Sequence, residues 1–87
     1  MPKLIWKDAT SYSRDERGFT EPRTLETKAG WLHLGVTRRH GLEGWWGYCR
    51  ELAITEHRLG VIDLRSAQAD WIRWIKERLA MGLKALP

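Results

Sequence analysis

Cysteine is almost missing from this chain. Cys49 stands alone, so no intramolecular disulfide can form, and a reducing, cytoplasmic setting is expected. No apolar run is long enough to span a bilayer or to resemble a signal peptide, so no membrane partner is expected. There is no G-x-S-x-G, no phosphate-binding glycine loop and no dinucleotide fingerprint, which points away from an enzyme and from any cofactor. His33, His40 and His57 with Cys49 match no zinc spacing, so no metal is expected, and Cys49 reads as a small buried apolar residue. A basic block is also lacking. Residues 1–30 carry six basic and five acidic groups, residues 31–65 five and four, and residues 66–87 four and two. A net charge of +4 spread this thinly favours nucleic acid only mildly, because tracking phosphates needs clustered cations.

Tryptophan is what the chain has in excess: six in 87 residues. Each can bury a large apolar area, which helps a single small domain to form a core, and each offers a stacking surface where exposed. The last quarter, Asp63 to Leu86, contains no proline and reads as one amphipathic helix with Asp63 or Ser66 as N-cap. At 100° per residue Leu64, Trp71, Ile75, Leu79 and Leu86 share one side, and Asp70, Arg73, Lys76, Glu77 and Lys84 the other. The apolar arc is wider than a helix on one sheet needs. Trp74 and Met81 extend it on one flank and Leu83 on the other, which suits either N-terminal residues wrapping round it or a contact with a second copy or partner.

Upstream, the patterning is that of strands. Lys3–Lys7 has strand character, residues 8–22 read as a loop, and Arg23–Lys28 as a polar strand suited to an edge. Trp31–Arg39 is the clearest strand: Leu32, Leu34 and Val36 face the core and Trp31, His33, Gly35 and Thr37 the opposite side. After a glycine-rich hairpin loop, Trp45–Leu52 returns. Trp45 and Trp46 must point to opposite faces, and the pattern leaves open which is buried. Thr55–Arg58 reads as a turn and Leu59–Ile62 as a short last strand. The expected fold is α+β in one domain: an antiparallel sheet of three or four strands with the long C-terminal helix across one face.

The face of that sheet away from the helix would carry Trp31, His33, Thr37, Arg39, one of Trp45 and Trp46, and Tyr48 or Arg50, with Arg38 and Arg58 reaching it from the rim. Arginine pairs with phosphates or guanine edges and tryptophan stacks, so this alternation suits duplex DNA. The bland alternative is that aromatic and β-branched residues favour strands whatever the function.

Gly35-Val36-Thr37-Arg38-Arg39, the tryptophan strand Trp45–Arg50, and Leu59-Gly60-Val61-Ile62-Asp63 leading into Ala67 resemble the plant ethylene-response-factor type DNA-binding domain and the amino-terminal domains of phage integrases. That resemblance implies three antiparallel strands backed by a helix, with Arg38, Arg39, Trp46 and Arg50 contacting DNA. Ser66 and Gln68 stand where that family has an acidic pair. Trp6, Ser11–Arg14 and Leu59–Asp63 are similar to small bacteriophage accessory proteins, some of which bind and block host complexes such as CRISPR effectors. The expected function is a non-enzymatic module that binds duplex DNA. The alternative is a phage-encoded inhibitor or adaptor of a host protein complex, acting in the bacterial cytoplasm. The expected contacts are Trp31, His33, Arg38, Arg39, Trp46, Arg50 and Arg58. Trp74, Met81 and Leu83 are candidates for a homodimer or partner flank.

Overall fold

A computed structural model describes residues 4–11, 22–38 and 43–87. Five strands, β1 (Lys7–Asp8), β2 (Thr24–Ala29), β3 (Leu32–Thr37), β4 (Trp46–Cys49) and β5 (Ile54–Arg58), form one antiparallel sheet in chain order, and α1 (Leu64–Ala85) follows. The class is the expected α+β, but the sheet has five strands rather than three or four.

The additional strands explain the difference. β1 is only two residues long and pairs Lys7 with Glu26 and Asp8 with Leu25, while the segment before it is tied by the Thr27 hydroxyl, which donates to the Ile5 carbonyl at 2.8 Å. β5 occupies the segment read as a turn. Its Thr55, Glu56 and Arg58 are exposed, and an irregular step opposite Gly47–Cys49 breaks the period of two. Leu59–Ile62, read as a strand, is an irregular connection. Gly60 takes a positive φ of 71°, although Leu59 N–H donates to the Trp45 carbonyl and Trp45 N–H to the Val61 carbonyl. β2 lies second in the order, beside the short β1, so most of its length remains close to an edge.

Leu32, Leu34 and Val36 are buried as the alternation requires, and they form the core with Trp45, Cys49, Ala67, Trp71 and Ile75. Trp45 is therefore the buried member of its pair, its indole N–H donating to the Ile62 carbonyl at 2.9 Å. Asp63 caps α1, its carboxylate accepting the Ser66 N–H at 2.9 Å, and that bond holds the Asp63 carboxyl below its ordinary range. The helix seats itself through Trp71, whose ring lies against Gly47 so closely that a Cβ there would collide with it. Its indole N–H donates to the Tyr48 carbonyl at 3.1 Å, at the irregular step of the ladder. Trp71, Trp74 and His57 stack together beside this contact, with Arg78 over Trp74. Trp74 is thus half-buried within the molecule's own stacking.

Candidate binding face

With α1 packed on β3 and β4, the other side of the sheet is set by register alone. Three rows point away from the helix: Lys28–His33, Lys7–Glu26–Gly35–Tyr48, and Thr24–Thr37–Trp46–Arg58. The third row is the closest to the expectation. Trp46 is half-buried on this face with Arg58, exposed, directly opposite it on β5, while Thr24 and Thr37 share a hydroxyl hydrogen bond of 2.8 Å on its other side.

The middle row is built around a missing side chain. Gly35 has no Cβ, so the Tyr48 ring crosses β3 over it, and the Tyr48 hydroxyl donates to Glu26 on β2. Burial of the phenol is the larger cause, and the neighbouring carboxylate the second, of a tyrosine pKa pushed well above its ordinary value. In the first row β4 has already ended, and the Glu51 carboxylate takes its place. It accepts the His33 backbone N–H at 2.5 Å and lies 2.8 Å from the His33 ring Nδ1. These bonds, the backbone one foremost, hold the Glu51 carboxyl below its ordinary range.

Of the expected contact residues, His33, Trp46 and Arg58 lie on this face. Trp31, in the two-residue turn after Gly30, is 65% exposed at its end, and Arg50 is exposed in the turn after β4. Arg38 does not reach the face from the rim. It follows Thr37, so its direction alternates to the helix side, and its guanidinium lies over the ring of buried Trp45, 5.6 Å from the centroid. Arg39 lies outside the described residues. Sequence reasoning missed Lys7, Glu26, Lys28, Tyr48 as a ring spanning three strands, and Glu51. The alternation Thr24-Glu26-Lys28 was the available signal for the β2 contribution.

The face therefore combines aromatic surface from Trp46 and Tyr48 with the cations Lys7, Lys28 and Arg58, has Trp31 and Arg50 exposed in the turns at one end, and carries the carboxylates Glu26 and Glu51, which accept hydrogen bonds from the protein itself. No protein-family model matches this chain, and no curated protein or solved structure does either.

Proposed function

We propose that the protein is a non-enzymatic binding module that docks duplex DNA on the open face of its sheet. The supporting observation is that Lys7, Lys28 and Arg58 share with the half-buried Trp46 the side of the sheet away from the helix, with the exposed Trp31 and Arg50 in the turns at one end of it. A two-sided sheet with one solvated face is a common arrangement for antiparallel strands, and aromatic-plus-arginine surfaces grip sugar, base and phosphate together. Four cations can each displace a counterion, so binding should fall with salt at a log–log slope of about −3 to −4.

Fluorescence anisotropy of a labelled duplex, titrated at low and moderate salt, tests this. Micromolar affinity with that slope, lost on Lys28→Glu with Arg58→Glu in a variant of unchanged circular dichroism, is the expected result. No binding at low salt overturns it.

A second reading is a host-protein partner, in the manner of a phage inhibitor. It draws on the acids Glu26 and Glu51 standing among Lys28 and His33, a mixed charge pattern better suited to a protein surface than to a phosphate backbone. Binding of a purified partner that Lys28→Glu weakens, with no DNA affinity, would favour it.

A further inference from the structure

Met81 and Leu83 stand exposed on the last turns of α1. A better defined feature lies at the far edge of the sheet, where β1 gives out before β2 does. The Ala9 N–H donates to the Thr24 carbonyl on the outer side of β2, and the Arg38 N–H to the Arg23 carbonyl on its inner side. With the two registers, this makes Thr24, Glu26 and Lys28 the residues whose backbone groups face β1, while Leu25, Thr27 and Ala29 bond to β3. Ile5 would stand opposite Lys28 if β1 began two residues earlier. Instead the Ile5 carbonyl accepts the Thr27 hydroxyl at 2.8 Å, and the ladder starts at Lys7. Among the described residues, no hydrogen bond reaches the Lys28 backbone N–H or carbonyl on this edge.

A groove of about 690 Å³ opens at this point, within the size range of ligand pockets. Leu4, Ile5 and Ala29 give it apolar walls, with Ile5 itself 75% exposed, and Lys7, Lys28 and His33 stand along it. Among the described residues, Lys7 and Lys28 form no ion pair. The acids nearby are already engaged: Glu26 accepts the Tyr48 hydroxyl, and Glu51 is bonded to His33. The groove thus brings one backbone donor, one backbone acceptor and two ammonium groups together beside apolar surface.

We propose that this edge binds the carboxyl-terminal end of a peptide whose last side chain is apolar. The terminal residue takes the place opposite Lys28. Its N–H donates to the Lys28 carbonyl, its carboxylate accepts the Lys28 N–H, and the Lys7 and Lys28 ammonium groups balance its charge. A chain end fits where a passing strand does not, because the next ladder position, opposite Glu26, is filled by Lys7. A phosphodiester or a fatty carboxylate carries acceptors only and leaves the Lys28 carbonyl unmatched. An amino terminus would set a positive charge against both lysines. The inference shares Lys7 and Lys28 with the DNA-binding reading but rests on the β2 edge, so the two stand or fall separately.

Nuclear magnetic resonance titration of the full chain with the peptide acetyl-Val-Thr-Val-Leu, up to about 1 mM, tests this. The Lys28, Ala29 and Gly30 amide signals should shift, and exchange of the Lys28 amide proton should slow. The same peptide with a carboxamide end should bind at least tenfold more weakly. Lys28→Pro removes the N–H on the outer edge without touching the bonds to β3, and should also weaken binding at least tenfold. Lys28→Gln keeps the N–H and should lose less. The exchange measurement on the unaltered chain decides the matter if the proline variant fails to fold. No shift at about 1 mM overturns the proposal, as do equal binding of the two peptide ends and shifts confined to Trp46 and Arg58. Peptide binding by a protein that does not bind duplex DNA upholds this inference and removes the other reading. DNA binding without a response to the peptide does the reverse.

Discussion

The Tyr48 ring lies over Gly35, and the two residues face each other across β3 and β4 on the side of the sheet away from α1. A glycine weakens a strand by exposing backbone and packing nothing, and an aromatic ring laid across it restores the lost cover. The pair has a counterpart on the other face, where Trp71 covers Gly47. Two adjacent central strands thus each give up a side chain so that a ring can pass.

Adding a methyl group at Gly35 should therefore displace Tyr48 from its path to Glu26. Gly35→Ala is expected to destabilise the fold by about 1–3 kcal/mol, the usual range for overpacking, as measured by urea unfolding. Tyr48→Phe keeps the ring but removes the hydroxyl, and should cost only about 1 kcal/mol. Equal losses from the two variants would contradict the separation of ring cover from hydrogen bonding.

Gly47→Ala should be the more damaging of the two glycine substitutions. Trp71 is fully buried, is fixed by its bond to the Tyr48 carbonyl, and is stacked against Trp74 and His57, so it has little room to move. A loss of about 3 kcal/mol or more, with a changed near-ultraviolet circular dichroism spectrum, is expected.

Ala53 closes the Arg50–Ala53 turn with a φ of 56°, its N–H donating to the Arg50 carbonyl. A left-handed conformation costs an L-residue about 1–2 kcal/mol, whereas glycine adopts it freely, at the cost of more unfolded-chain entropy. Ala53→Gly should raise stability by up to about 1 kcal/mol and the melting temperature by about 4–8 °C, readable by calorimetry. A lowered melting temperature would show that this turn holds no strain.

The Glu51 carboxyl is depressed in the folded protein by the bonds it accepts from His33. A depressed acid stabilises the fold above its unfolded pKa and loses that contribution as the pH falls through its folded pKa. Stability should therefore decline on the acid side of the ordinary glutamate range. Glu51→Gln should flatten that part of the profile, as measured by urea titrations between neutral pH and pH 3. An acid limb of unchanged shape in the variant would count against the assignment.

The parts that were legible in the sequence are those where one periodicity runs uninterrupted. Leu32, Leu34 and Val36 alternate without a break, and α1 carries its apolar side from an Asp63 cap through a proline-free stretch, so both follow from local pattern. β5 was hidden because its exposed Thr55 and Glu56 fall at an irregular step on the sheet edge, where the pattern that marks a strand is lost. The face away from α1 was only half legible. Trp46 and Arg58 follow from alternation once β4 is placed, but Glu26 beneath Tyr48 and Glu51 beside His33 depend on pairings between distant segments. Arg38 went astray because one residue past a strand end reverses its direction.

The sheet's spatial order is also its order along the chain, and this bears on how the protein folds. Every strand pairs with its sequence neighbour, so each pairing closes only the loop between two consecutive strands. Pairing between sequence neighbours favours quick folding, although the Thr27–Ile5 and Tyr48–Glu26 bonds each span 22 residues. α1 must also return across β3 and β4 to set Trp71 on Gly47, 24 residues earlier in sequence by their numbering. Seating that one ring is the non-local event that joins helix to sheet, and a substitution at Gly47 should slow refolding more than one at Gly35.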